Sequence, residues 1–181
     1  QVRKIVLRDE GISTLGAMDI WFDDAVLRLN ADKRGAYLGA FQADDKILAI
    51  YSSGHYRIMG YELSTHFDEK PLLICKLTDE LVVTAIYHEG ETGFLYMKRF
   101  QPEANGKQLG FIGEHKSSRL EMVSISQQPV LKLYFAATTR KPAMEEDIDA
   151  SEFIAVKSYK ARGKRLSAGE IDRIEWIHIP D

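Results

Sequence analysis

Pairs and short runs of lysine and arginine are the residues of this chain whose type and spacing point to chemistry. They recur near the ends of predicted strands and hairpins, and several more lie together towards the C-terminus. The residues concerned are Lys33, Arg34, Arg57, Lys98, Arg99, Lys160, Arg162, Lys164 and Arg165. Cationic side chains in such places bind phosphate oxygens without reading base sequence. They are equally compatible with an ordinary solvated surface, and both interpretations stay open at this point.

The charge of the chain is unevenly distributed. Lysine and arginine number 24 against 27 aspartates and glutamates, and the net charge of −3 taken alone argues against nucleic-acid binding. Five carboxylates lie within residues 145–152, and five cations follow within residues 157–165. Because charges act over a Debye length of about 8–10 Å, a locally positive surface is compatible with a negative chain.

Patterns typical of catalytic and metal sites are missing from the sequence. The five histidines lie at no metal-ligand spacing from one another or from Cys75. There is no Gly-x-Ser-x-Gly elbow, and Gly163-Lys164-Arg165 lacks the upstream glycine of a phosphate-binding loop. The single cysteine excludes a disulfide framework, fits a reducing cytosol, and is predicted to be a buried, inert thiol. The sequence therefore predicts a binding or structural module without a catalytic site or a cofactor of its own.

Two hairpins that resemble each other must position these cations. Residues 82–100 contain an apolar run, a turn at residues 88–91 and a return strand. Residues 46–63 repeat this pattern, with an aromatic residue before the turn (Tyr51, Tyr87) and a glycine three residues later (Gly54, Gly90). Similarity at a fixed offset indicates a repeat architecture. The period-two alternation places Tyr51, Tyr87, Phe94 and Tyr96 in the core rather than on a base-stacking surface.

Short apolar runs bounded by turn residues predict strands along the rest of the chain. These runs cover residues 2–7, 19–22, 25–29, 37–41, 72–77, 109–112, 120–125, 130–137 and 153–156. Residues 140–151 are predicted to form an acidic loop of disordered character. Residues 173–177 fit a helix that follows a capping box at Ser167 and Glu170, but we favour a strand because they resemble the opening run.

The predicted class is all-β, as a sandwich, a barrel or a propeller-like array, and repetition favours the array. Radially arranged sheets would bring equivalent strand ends to one rim, where recurring cations would form a curved positive track able to hold and bend a duplex. The longest apolar runs are about five or six residues, against about 20 for a membrane helix, and no signal peptide is recognised. The chain opens on a strand-like run without a methionine, which suggests a fragment of a longer protein.

Short matching pieces, in matching order, identify a family over nearly the whole chain. It resembles the C-terminal region of the A subunit of bacterial type II topoisomerases, DNA gyrase and topoisomerase IV, and is closest to those of the Bacteroides group. The pieces are residues 2–7, 11–16, 20–23, 28–30, 34–35, 38–41, 44–48, 85–87, 96–100 and 160–166.

The resemblance implies a β-pinwheel of about three to four blades, here a partial disc, with residues 1–181 as one C-terminal-type fragment. In that family the basic rim binds and bends double-stranded DNA, and thereby positions a segment for strand passage. It also implies partner subunits in an A2B2 assembly, ATP and magnesium in the parent holoenzyme but none in this fragment, and a cytoplasmic, nucleoid-associated location. The Gln-Arg-Arg-Gly-Gly-Lys-Gly box of gyrase has no clear counterpart, which favours a topoisomerase IV-like role. The alternatives are a protein-interaction propeller and a structural spacer.

Overall fold

The computed structural model of the chain describes residues 16–104, 106–167 and 169–177, which form strands and one helical turn. These residues belong to two compact units. The described residues of the first unit are 16–51, 57–78 and 106–107, and those of the second are 52–56, 79–104, 108–167 and 169–177. One boundary between the two units falls within the strand His55–Met59, between Tyr56 and Arg57.

The first unit is built on short antiparallel pairs. Its strands are β1 (Met18–Asp23), β2 (Arg28–Asn30), β3 (Ala36–Phe41), β4 (Ile47–Tyr51), part of β5 (His55–Met59) and β6 (Leu73–Lys76). The first three form a sheet of order β2-β1-β3, and β4 pairs with β6. Their inward side chains make one core of Ile20, Phe22, Leu29, Phe41, Ile47, Ala49, Tyr51 and Phe67.

The second unit contains two further sheets. Its strands are β7 (Val83–His88), β8 (Leu95–Phe100), β9 (Leu109–Gly110), β10 (Arg119–Ser124), β11 (Val130–Phe135), β12 (Met144–Asp149), β13 (Lys164–Arg165) and β14 (Arg173–Ile177), with a helical turn α1 (Ala150–Phe153). The sheets have the orders β10-β7-β8-β13 and β12-β11-β14. The start of β5 pairs with β9, at His55 with Gly110 and Tyr56 with Leu109.

The strands β7 and β8 are buried on both faces. Paired residues of neighbouring strands share a face, so Ile86 and Met97 point one way, into a core that includes Leu131 and Leu133. Tyr96, Lys98 and Phe100 alternate with them and point the other way. There Phe100 packs against Tyr56 and Phe111, with ring centroids 5.7 and 5.1 Å away. Because both faces are covered, nearly every residue of β7 and β8 is buried.

The predicted all-β class is confirmed, and several separate antiparallel sheets are consistent with a β-pinwheel. Both hairpins and the strand preference for Arg173–Ile177 are also confirmed. The predicted strand at 2–7 lies outside the described residues. Among the described residues, no helix is long and apolar enough to cross a bilayer.

Two predictions near the acidic stretch were wrong. Most of the expected acidic loop is the strand β12, because all six of its residues pair with β11. The strand expected at 153–156 is absent, since the chain turns at α1, where the Asp149 carboxylate accepts a hydrogen bond from the Ser151 amide (3.0 Å).

Candidate nucleic-acid interface

A stretch that we call the basic segment, residues 157–166, runs along the edge of β8 in the second unit. The Lys157 amide donates to the Arg99 carbonyl and the Leu166 amide to the Leu95 carbonyl, both at 2.9 Å. Between these anchors, β13 pairs Lys164 with Met97 and Arg165 with Tyr96. The outer strand of this sheet is β13, and the loop at residues 158–163 connects it to Lys157, which forms a parallel bridge with Phe100.

Four of the five cations of the basic segment lie over aromatic rings. Residues 153–169 contain no aspartate or glutamate. The four pairs, with distances from the cationic centre to the ring centroid, are Lys160 over Tyr159 (5.7 Å), Arg162 over Tyr96 (5.3 Å), Lys164 over Phe153 (4.4 Å) and Arg165 over Phe94 (3.3 Å). Such contacts contribute about 0.5–1 kcal/mol at exposed sites. They orient the cations without neutralising them, so the positive charge stays available to an anionic partner.

Among the residues that the structure describes, Arg162 is the one cation of the segment with a carboxylate partner. Its guanidinium donates to Glu89 Oε2 (3.4 Å) and to the Tyr96 hydroxyl (3.3 Å). The Glu89 carboxylate also accepts from the amides of Glu91 and Thr92, both at 2.9 Å, and these bonds hold its pKa below the ordinary value. Because Glu89 caps a turn in this way and the Arg162 side chain is 62% exposed, the guanidinium remains accessible to an external anion.

Two of the predicted cations, Lys98 and Arg99, are buried within β8 rather than on the surface. Lys98 is 3% exposed, and its Nζ donates to the carbonyls of Phe111 (2.7 Å), Tyr159 (2.5 Å) and Ala161 (2.7 Å). Burial lowers the pKa of Lys98 to about 8. Arg99 is 7% exposed, and its Nε donates to Thr84 Oγ1 (3.0 Å). These nitrogens are engaged inside the protein, so we leave both residues out of the interface.

The remaining three predicted cations lie in the first unit. Lys33 and Arg34 follow β2 in a turn that the Asn30 side chain organises, accepting from the Arg34 amide (3.1 Å) and donating to the Arg34 carbonyl (2.8 Å). Arg34 also pairs with Asp32 at 3.3 Å, with both side chains well exposed. Arg57 is exposed on β5. The structure thus brings together four of the nine predicted residues, Lys160, Arg162, Lys164 and Arg165, on one segment.

A cleft of about 860 Å³ beside the basic segment adds residues that were not predicted as site residues. Lys160 and Arg162 line it together with Lys116, His115 and three glutamates. Lys157, exposed at the start of the segment, was also not among the predicted residues. The run of carboxylate-free residues around Lys157 was the available signal for including it.

The aromatic residues of the second hairpin divide into two groups. Tyr87 and Tyr96 are buried as predicted, and so is Tyr51 in the first hairpin. Phe94 is 41% exposed, against the prediction, because it lies before β8 and carries the Arg165 guanidinium on its ring. An aromatic platform for a cation cannot be distinguished from a core residue by alternation alone.

The described residues include no cluster of three or more His, Cys, Asp or Glu side chains able to hold a metal ion. Cys75 lies on β6, and burial raises the pKa of its thiol to about 11, as expected for an unreactive cysteine.

The second unit thus presents an edge strand, β13, whose two cations, Lys164 and Arg165, lie over aromatic rings. The family described as topoisomerase C-terminal domain, Bacteroidota, matches residues 28–178, which is most of the chain, and this protein belongs to that family. The resemblance seen in the sequence is thereby confirmed. No curated protein matches the chain.

Proposed function

We propose that this topoisomerase C-terminal domain binds double-stranded DNA through the basic segment and positions a DNA segment for strand passage. The supporting observation is the arrangement of Lys157, Lys160, Arg162, Lys164 and Arg165 on one edge, without a carboxylate in the surrounding sequence. Family membership supplies the topoisomerase context.

The proposed mechanism is electrostatic. A duplex carries one negative charge per about 1.7 Å of its axis, so neighbouring phosphates can pair with successive cations of an edge strand. Cations whose orientation is already fixed by aromatic rings lose less side-chain freedom on binding. Phosphate contacts of this kind hold and bend a duplex without reading its sequence.

The wider setting is proposed from the family resemblance. The chain is a single pinwheel fragment of a longer A subunit, which works in an A2B2 assembly with ATP and magnesium bound elsewhere. Without a gyrase-type Gly- and Arg-rich box, the parent enzyme acts as a topoisomerase IV in the bacterial cytoplasm, at the nucleoid.

The test is the affinity of the 181-residue chain for a duplex at several salt concentrations. Wild type should show a log–log slope of about −0.9 for each phosphate contact. Replacing Lys160, Arg162, Lys164 and Arg165 together by Gln should make the slope less steep by about three to four and lower the affinity on the order of 100-fold at low salt. The matched control replaces four exposed cations outside the segment, Lys46, Lys70, Arg140 and Lys141, by Gln.

Both variants change the net charge by the same amount, so a difference in their DNA affinity reports where the replaced cations lie. Equal losses in both variants would show that only net charge matters, and would reject the basic segment as the interface. Absence of wild-type binding at low salt would reject the DNA function and favour the protein-interaction alternative.

A further inference from the structure

The buried ammonium of Lys98 connects β8 to the loop of the basic segment. Two of its three acceptors, the carbonyls of Tyr159 and Ala161, belong to the residues on either side of Lys160. The third, the carbonyl of Phe111, follows β9. One nitrogen on a strand thus fixes two backbone groups of a loop that is more than 60 residues away in sequence.

The position of Lys98 on its strand gives it this role. It shares a face with Tyr96 and Phe100, and Phe100 is packed in an aromatic cluster that excludes water. Lys98 has no carboxylate partner among the described residues, so its buried charge is compensated by three backbone carbonyls and by the Phe100 ring, whose centroid lies 5.6 Å from Nζ. Because two of the three carbonyls that accept from this buried ammonium belong to the loop, the conformation of the loop depends on it.

The loop has further attachments to the same face, one of which is the bond from the Arg162 guanidinium to the Tyr96 hydroxyl (3.3 Å). The Gly163 amide donates to the Tyr87 hydroxyl at 3.0 Å. A Cβ at Gly163 would lie 2.6 Å from the Met97 carbonyl oxygen, so only glycine permits this approach to the strand. Lys160 lies between the two carbonyls that are held inward, and its own side chain is exposed.

We infer that Lys98 is the positioning residue of the basic segment: its ammonium holds the loop at residues 158–163 in the conformation that presents Lys160 and Arg162 to DNA. The consequence for DNA rests on the proposed function, whereas the effect on the loop is measured without DNA.

The first experiment is site-resolved amide exchange in the full chain with Lys98→Met. This substitution keeps a long apolar stem and removes the donors. The amides of Ala161, bonded to Ser158, and of Gly163 should exchange about tenfold faster or more, relative to the Leu166 amide that is bonded to β8. Leu131→Ala, a core substitution on β11, is the control: it should raise exchange by global unfolding without changing that ratio. An unchanged ratio in Lys98→Met would overturn the inference.

A measurement on the wild-type chain tests the hydrogen bonds of Lys98 even if Lys98→Met does not fold. The ammonium protons of Lys98 should be protected from solvent exchange and resolved by nitrogen-15 NMR, whereas those of exposed Lys160 should not. Equal, fast exchange at both nitrogens would contradict the inference.

The salt dependence of DNA binding distinguishes a Lys98 that positions the loop from a Lys98 that itself contacts a phosphate. Lys98→Met should weaken duplex binding about three- to tenfold, because the loop must be ordered on binding, with an unchanged salt slope. A slope less steep by about 0.9 would instead show that Lys98 itself contacts a phosphate, and would overturn the positioning role. Failure of wild type to bind DNA rejects the proposed function, while the exchange ratio still decides what Lys98 does to the loop.

Discussion

The basic segment and the acidic strand β12 are close neighbours in the sequence, and β12 and the strand β13 of the basic segment are each the outer strand of a sheet. Each also carries a dense run of like charges. They differ in what lies beside those charges. Four of the five cations of the basic segment lie on aromatic rings, whereas two of the four carboxylates of β12 lie beside a lysine of the adjacent strand.

Lys132 on β11 is the lysine that partly balances the negative charge of β12. Its Nζ lies 3.3 Å from Glu145 Oε2 and 3.5 Å from Asp147 Oδ1. The hydrogen bond to Glu145, with the charges of Asp147 and Glu145, raises the pKa of Lys132. The negative charge of β12 is thus partly balanced within its own sheet, while most of the charge of the basic segment is not. Equal charge densities in a sequence therefore produce different electrostatic surfaces.

The largest expected effect comes from a core substitution on the acidic strand, whose buried side chain shares a core cluster with Leu166 of the basic segment. Ile148 is the buried side chain of β12 and is paired with Leu131. Ile148→Ala should lower the free energy of unfolding by about 2–4 kcal/mol, through lost burial and a cavity, in denaturant titrations. Glu146→Gln on the same strand, where the side chain is exposed, should change it by no more than about 0.5 kcal/mol. DNA affinity of the folded Ile148→Ala protein should stay at the wild-type value, and a large loss would show that the two regions are not independent.

The next largest effect is expected in the pH dependence of stability, through Lys98, which holds the loop of the basic segment. The pKa of Lys98 is about 8 in the folded protein, against an ordinary value of 10.5. Between these values the unfolded chain binds the proton and the folded chain does not, so stability rises with pH. The free energy of unfolding of wild type, relative to Lys98→Met, should rise over this window by on the order of 3 kcal/mol. A flat difference would show that burial does not lower the pKa of Lys98.

The smallest expected effect comes from neutralising the acidic strand. Glu145→Gln, Glu146→Gln and Asp147→Asn together should raise duplex affinity about two- to fivefold at low salt, and the gain should disappear at high salt because of screening. The control neutralises Asp44, Asp68 and Glu69, three exposed carboxylates of the first unit, with the same change in net charge. If both variants gain equally, then the location of β12 has no bearing on DNA binding.

Local patterns in the sequence were sufficient for much of the fold. Alternation, turn residues and the repeated Tyr-to-Gly offset gave both hairpins and the all-β class, because those signals act over a few residues. The run of cations from Lys160 to Arg165 was also visible directly, since it is contiguous. The family resemblance depended on similarly short pieces.

Contacts between distant residues decided the rest. Alternation placed Lys98 on one face of its strand, but whether that face is covered depends on Phe111, Tyr159 and Ala161, which lie 13, 61 and 63 residues away. The acidic stretch was predicted as a loop because its side chains are charged, yet its backbone completes a ladder with β11. A sequence specifies which side chains a strand can present, and only the packing of non-adjacent strands determines which of them reach solvent.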